Sequence, residues 1–79
     1  MLDIQQRLVR CFQAVFPDVS ESEALRASTL RIAAWDSVAT VTLAAALEEE
    51  FAMQFEPEEI ENMNSFESCL SLLVRSRAS

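Results

Sequence analysis

The absence of glycine from all 79 residues is the feature that most constrains how this chain can fold. Glycine adopts positive φ angles without steric cost, so it commonly forms tight turns and ends helices. The turns of this chain must therefore use other residues, and we expect Asn, Asp, Ser and Pro to take that role. The same absence excludes the glycine-rich loops that cradle phosphate groups in nucleotide-binding folds.

Composition excludes further kinds of chemistry. The chain has no His, so it contains neither a Ser-His-Asp triad nor a His-rich metal site. Its 13 acidic and 6 basic residues give a formal net charge of −7, which argues against a nucleic-acid partner because Lys and Arg must neutralise phosphates. We expect neither a catalytic centre nor a metal site in this chain.

The length and hydropathy of the chain predict one domain that spans residues 1–79. At 51% hydrophobic residues, the chain is too apolar to be disordered. Its longest apolar run, residues 43–47, is far shorter than the ~20 residues of a membrane-spanning helix. Polar residues interrupt the N-terminal segment, which is unlike a signal peptide. We therefore expect a cytoplasmic protein without a membrane span. A monomer is also expected.

Apolar residues recur at helical spacing along most of the chain. We predict helices over residues of about 2–16, 36–51, 57–63 and 65–75, with a long loop over 17–35. The predicted fold is therefore all-α, a small bundle of three main helices plus one short helix. Loops as long as 17–35 are commonly functional or hold a short helix of their own.

Capping and helix-breaking residues support these bounds. Pro17 cannot continue the first helix, and Asp36 is a good N-cap for the second because its carboxylate lies at the positive end of the helix dipole. Pro57 occupies a first-turn position. Asn64 and Glu67 have the spacing of a capping box at the start of the last helix.

Apolar residues between the first two helices are predicted to anchor the loop onto the body of the domain: Leu25, Leu30, Ile32 and Trp35. Cys11 and Cys69 have apolar neighbours and are too few for a disulfide framework. We expect both cysteines to be small buried residues.

The helix over 36–51 has more apolar surface than one-sided packing needs. Its core stripe consists of Leu43, Ala44, Leu47 and Phe51. Val38, Val41 and Ala45 extend the apolar arc to about 220°. Either the long loop covers Val38 and Val41, or they form a partly exposed strip beside Ser37 that binds a partner. The periodicity alone favours coverage by the loop.

Three consecutive glutamates, Glu48, Glu49 and Glu50, end this helix. They oppose the negative end of the helix dipole, and no Lys is available to offset them. Four more glutamates follow within residues 56–61. Such a run is commonly a solvated face, but it would also steer a basic partner towards this end of the chain.

Residues 36–51, which begin Asp-Ser-Val and end Leu-Glu-Glu-Glu-Phe, resemble the second helix of acyl carrier proteins with its Asp-Ser-Leu signature. The likeness continues through Phe-Glu-Pro-Glu-Glu-Ile-Glu at 55–61 and Asn-Ser-Phe at 64–66. It covers Trp35 to about Val74, roughly half of the chain. The amphipathic first helix is compatible with this family.

The resemblance implies that Ser37 carries 4′-phosphopantetheine, attached from coenzyme A by a Mg²⁺-dependent phosphopantetheinyl transferase. The thiol of this arm would hold an acyl or aminoacyl group as a thioester, loaded by an activating ligase or an acyltransferase. The carrier itself would catalyse nothing. Asp36 would help to place the serine, and partner enzymes would recognise a set of nearby residues: Trp35, Val38, Val41, Ala45, Glu48 and Glu49.

Two departures from the family pattern indicate which kind of biosynthetic pathway such a carrier would serve. Ala39 and Thr42 stand where fatty-acid carriers commonly have acidic residues, and Trp35 resembles that of stand-alone carriers. The resemblance thus implies a discrete carrier of lipid or secondary-metabolite biosynthesis, of the specialised type. The alternative is an acidic helical adaptor, or a degenerate carrier, that binds a basic partner through the second helix without a prosthetic group. An enzyme is disfavoured because Ser37 has no His or Lys to activate it.

Overall fold

The computed structural model describes residues 3–78, with side chains for residues 3–75. Five helices occur in this range: α1 (Ile4–Val15), α2 (Glu21–Leu25), α3 (Ser37–Phe51), α4 (Pro57–Glu61) and α5 (Phe66–Ala78). The same residues form no strand, although an isolated antiparallel bridge joins Ser28 to Ser65. The predicted all-α fold is confirmed.

The segment predicted as a loop contains a fifth helix, α2. Ser20 and Glu23 form a capping box: the Glu23 amide donates to Ser20 Oγ at 3.2 Å, and the Ser20 amide donates to Glu23 Oε1 at 3.1 Å. This box satisfies two amides that a helix start otherwise leaves unpaired. Ala24 is completely buried, so the short helix attaches the segment to the core.

The other predicted helices differ from the observed ones only at their ends. The predicted start of the first helix at residue 2 lies outside the described residues. The long C-terminal helix begins at Phe66, and Ser65 is its cap because the Ser68 amide donates to Ser65 Oγ at 3.0 Å. The Ser65 amide donates in return to Ser68 Oγ at 3.1 Å. The predicted capping box of Asn64 and Glu67 is therefore wrong by one residue.

Aromatic side chains from separate elements meet at the centre of the core. Phe12 is completely buried, and its ring lies 5.3 Å from that of Trp35 in an edge-to-face arrangement. The ring of Phe66 is also 5.3 Å from Phe12, and Phe16 contacts Trp35 at 5.7 Å. These contacts join α1, α5 and the residue that precedes the N-cap of α3.

The anchoring predictions for the 17–35 segment are partly wrong. Trp35 is buried and Ile32 is half-buried, as expected. Leu30, however, is 97% exposed and Leu25 is 40% exposed. Leu30 lies on a turn in which the amides of Arg31 and Ile32 both donate to the Ser28 carbonyl, at 3.0 and 2.9 Å.

The C-terminus of α3 adopts a backbone conformation that costs free energy for any residue other than glycine, and this chain has no glycine. Ala52 adopts φ 52° and ψ 51°, the left-handed conformation, and its amide donates to the Glu48 carbonyl. Alanine thus stands at a turn where the sequence predicts Asn, Asp, Ser or Pro. A residue with a Cβ atom costs roughly 1–2 kcal/mol in this conformation.

The Ala52→Gly variant is therefore expected to be more stable than the wild type. Glycine removes the Cβ clash, and its greater freedom in the unfolded chain offsets part of the gain, which leaves about 0.5–1 kcal/mol. Urea denaturation would measure this change. The matched variant is Ala45→Gly, in the exposed middle of α3. Its free energy of unfolding should instead fall by about 1 kcal/mol. A less stable Ala52→Gly protein would contradict the argument.

Candidate functional site

Ser37 is the first residue of α3, and its side chain is exposed. Capping is performed by its neighbour Asp36, whose Oδ1 accepts a hydrogen bond from the Ala39 amide at 2.8 Å. The predicted N-cap at Asp36 is confirmed. Among the side chains described, residues 3–75, Ser37 Oγ has no hydrogen-bond partner. The hydroxyl is therefore accessible and is not needed to stabilise the helix start.

The helix start also provides a favourable electrostatic environment for an anion. A helix of 15 residues carries a partial charge of roughly +0.5 at its N-terminus. The first amides of a helix have no intrahelical partner, and the side chain of Asp36 accepts only from the amide of Ala39. A phosphodiester on Ser37 would lie at this end, where anions are stabilised.

Trp35 holds the segment that leads into α3. Its indole Nε1 donates to Thr40 Oγ1 at 2.9 Å, and that hydroxyl donates in turn to the Asp36 carbonyl at 3.0 Å. Only 4% of Trp35 is exposed. The residue is therefore part of the core and positions Ser37, and it does not form the partner-facing surface that the resemblance implied.

The apolar strip of α3, which we define as Val38, Val41 and Ala45, is exposed. Val38 is 72% exposed and Val41 is 60% exposed. The interpretation that the long loop covers these residues is wrong. The core stripe on the opposite face of α3 is confirmed, because all four of its members are buried: Leu43, Ala44, Leu47 and Phe51.

The 17–35 segment leaves the apolar strip uncovered because it is bonded to the first residue of α5 and to the two residues before it. The Phe66 amide donates to the Ala27 carbonyl at 2.9 Å, and the Thr29 amide donates to the Asn64 carbonyl at 3.0 Å. The bridge between Ser28 and Ser65 adds to this pairing. Local sequence carries no signal for these bonds, since they join positions far apart in the chain.

The three glutamates at the end of α3 have different surroundings. Glu48 Oε2 accepts from the Phe55 amide at 2.9 Å, so this carboxylate holds the connection to α4. Glu50 forms an ion pair with Arg7 of α1, with Nε and Oε2 2.7 Å apart. Glu49 is exposed. Of the two glutamates that we predicted to contact partners, only Glu49 lacks an obvious structural role.

Arg7 offsets the negative end of α3, a role that the sequence did not predict for it. Its Nη2 donates to the Glu50 carbonyl at 2.6 Å, and its guanidinium lies 4.4 Å from the centre of the Phe51 ring. A cation at a helix C-terminus is favourable. Arg7 and Glu50 are 43 positions apart, so helical spacing could not reveal the pair.

Both cysteines are buried and free, as predicted. Burial, together with the neighbouring charge of Glu50, raises the pKa of the Cys11 thiol to about 11. Burial likewise raises the pKa of Cys69 to about 12. Since the thiolate is the reactive form of cysteine, both side chains are chemically inert near neutral pH.

Among the side chains that the structure describes, residues 3–75, no three potential metal ligands of Cys, Asp or Glu lie together. Within residues 3–78, no helix combines the length and the apolar character needed to cross a membrane.

Comparison with known proteins finds no family model that matches the chain and no curated protein that is similar to it. The resemblance to acyl carrier proteins therefore depends on the sequence pattern of residues 35–74 and on the position of Ser37.

Proposed function

We propose that this chain is a carrier protein that holds an acyl or aminoacyl group as a thioester on a 4′-phosphopantetheine arm attached to Ser37. The observation that carries the proposal is an exposed serine at the first position of α3, directly beside an exposed apolar strip. An enzyme that modifies Ser37 needs access to its hydroxyl, and α3 offers both that access and a surface to bind.

The residues present are compatible with such a group. Ser37 Oγ would form the ester bond to phosphorus, and the positive end of α3 would stabilise the phosphodiester charge. In the attachment step, the bond from Oγ to phosphorus forms and the pyrophosphate bond of coenzyme A breaks. Adenosine 3′,5′-bisphosphate leaves, and the serine proton passes to a base of the transferase.

The chain contains neither His nor Lys to accept that proton. The Asp36 carboxylate acts as the helix cap, with Oδ1 accepting from the Ala39 amide. The base and the Mg²⁺ ion would therefore belong to the phosphopantetheinyl transferase. Asp36 and Trp35 act as positioning residues for Ser37. An activating ligase or an acyltransferase would load the arm, in the cytoplasm and on a monomeric carrier.

Intact-mass measurement tests this function directly. The purified chain is incubated with coenzyme A, Mg²⁺ and a broad-specificity phosphopantetheinyl transferase. We expect the mass to increase by one phosphopantetheine group, with the modified peptide containing Ser37. An unchanged mass under conditions that modify a known carrier would refute the proposal.

Thiol labelling provides an independent check. We expect the native apo-protein to resist iodoacetamide at pH 7.5, because Cys11 and Cys69 are buried and their pKa values are raised. After treatment with the transferase, one label per chain should appear, on the new exposed thiol. Unfolding in urea should expose two further thiols. Rapid labelling of the native apo-protein would contradict the burial of the cysteines.

The adaptor function remains the second candidate because the apolar strip and Glu49 are exposed and offer a binding surface that needs no prosthetic group. A chain that gains no mass but binds a basic partner would favour it. Such binding should survive Ser37→Ala and be lost on Glu49→Arg. Glu49 is the better site for charge reversal, since Glu48 holds the Phe55 amide and its replacement would disturb the fold.

A further inference from the structure

The segment that follows α3, residues 52–62, is attached to the core at few points. Phe55 is its only buried residue, and Met53 and Ile60 are half-buried. The helix inside this segment, α4, has no buried residue, whereas α1 has four. Burial of apolar side chains is the main force that holds an element in place. This segment, which we call the strap, is therefore weakly held.

The strap begins at a strained residue. Among residues 3–78, Ala52 alone has a positive φ angle, a conformation that a Cβ atom disfavours. The amide of Ala52 donates to the Glu48 carbonyl, and the Met53 amide donates to the same carbonyl at 3.1 Å. The closed strap keeps Ala52 in this conformation. A motion that swings the strap away about Ala52 therefore releases the strain.

One side chain fastens the strap to α3. Glu48 Oε2 accepts from the Phe55 amide at 2.9 Å, in a partly buried position. Within residues 3–75, no other side-chain hydrogen bond joins the strap to another part of the chain. A charged acceptor makes such a bond stronger than one between neutral groups. The neighbouring Glu49 is exposed and takes no part in this bond.

We propose that the strap opens as one unit about Ala52 while α1, α3 and α5 stay folded, and that the bond from the Phe55 amide to Glu48 is the latch that closes it. Opening exposes Phe55 and the part of α3 against which α4 packs. The strap is thus a reversible cover on the apolar core. It follows Phe51, which lies about 21 Å from Ser37 along α3, and its motion does not depend on modification of Ser37.

Native-state hydrogen exchange in low concentrations of urea tests this motion on the unmodified chain. The strap reports through the amides of Phe55 and Ile60, the second of which donates to the Glu56 carbonyl at 3.1 Å. We expect both amides to share one opening free energy and one urea dependence, each smaller than that of the Leu47 amide in the core. Separate values without urea dependence would show fraying and refute a single unit. Exchange only through global unfolding would refute the opening.

Two variants test the latch and the hinge. Glu48→Ala removes the acceptor of the Phe55 amide and should raise the opening equilibrium of the strap about tenfold. Its matched control, Glu49→Ala, removes the same charge from an exposed neighbour and should change that equilibrium by less than about threefold. Equal effects of these two variants would overturn the latch.

Ala52→Gly relieves the strain of the closed strap and should lower its opening equilibrium about two- to fivefold. The global unfolding equilibrium should fall by the same factor, because both the open strap and the unfolded chain have already released the strain. A variant that stabilises the chain against urea but leaves exchange of the strap unchanged would overturn the hinge at Ala52.

Discussion

Replacing Ser37 by alanine is expected to abolish phosphopantetheine attachment completely while leaving the fold unchanged. The ester bond requires the hydroxyl oxygen, and alanine has none. The helix should tolerate the change because Asp36, one residue earlier, performs the capping. Alanine is also the best helix former. We expect the free energy of unfolding to change by less than about 0.5 kcal/mol, so the loss would be purely chemical.

A second serine provides the control for this experiment. Ser71 is exposed on α5, and Ser71→Ala should gain the same mass as the wild type. Asp36→Ala separates placement from attachment, since it should cost about 1 kcal/mol of stability through loss of the cap and slow the transfer without preventing it. Equal mass gain in Ser37→Ala and wild type would place the modification at another residue and refute the assignment.

Among the substitutions proposed for this chain, replacing Phe12 by alanine is expected to lower the free energy of unfolding the most. Phe12 is completely buried and contacts the rings of Trp35, Phe16 and Phe66. Removal of such a side chain costs about 3–5 kcal/mol through lost burial and the cavity that remains. A chain of this size has a free energy of unfolding of only about 4–12 kcal/mol. Urea denaturation should therefore show a protein at or near the limit of folding.

Two variants make this prediction specific. Phe12→Leu retains much of the buried volume and should lose less than about 1.5 kcal/mol. Leu30→Ala removes an apolar side chain that is 97% exposed and should change stability by less than about 0.5 kcal/mol. A Phe12→Ala protein as stable as Leu30→Ala would show that the aromatic contacts are not central to the core.

Trp35 connects the stability measured for the Phe12 variants with the modification measured at Ser37. Its ring packs on Phe12 and its indole N–H donates to Thr40, so the same residue belongs to the core and holds the start of α3. Loss of core packing should therefore also disturb the placement of Ser37. Phosphopantetheine-transfer assays on Phe12→Leu would measure how strongly modification of the Ser37 hydroxyl depends on the packing of Trp35 against Phe12.

Features that depend on neighbouring residues could be predicted from the sequence. Helical periodicity identified the three long helices and the buried stripe of α3, because that pattern reflects a repeat of 3.6 residues within one element. Asp36 was recognised as a cap because its side chain bonds to an amide only three residues away. The short helix α2 was missed as an element, although Ser20 and Glu23 have the spacing of a capping box.

Features that depend on which elements meet could not be predicted in this way. Leu30 and Trp35 are both large apolar residues of one segment, yet one is exposed and the other is buried. The pairing of Arg7 with Glu50 joins two helices that are distant in sequence. A local pattern shows that a residue is apolar or charged, but it does not show what will lie against it.

The amino-acid sequence alone determined that this chain forms a small helical domain and that Ser37 begins a helix behind an N-cap aspartate. The absence of glycine also determined that a helix such as α3 had to end on a residue with a Cβ atom. Only the tertiary structure decided that Val38 and Val41 are exposed, because hydrogen bonds to the start of α5 and the residues before it hold the 17–35 segment away from them. Coverage of an apolar face depends on contacts between distant elements, and these form only when the chain folds.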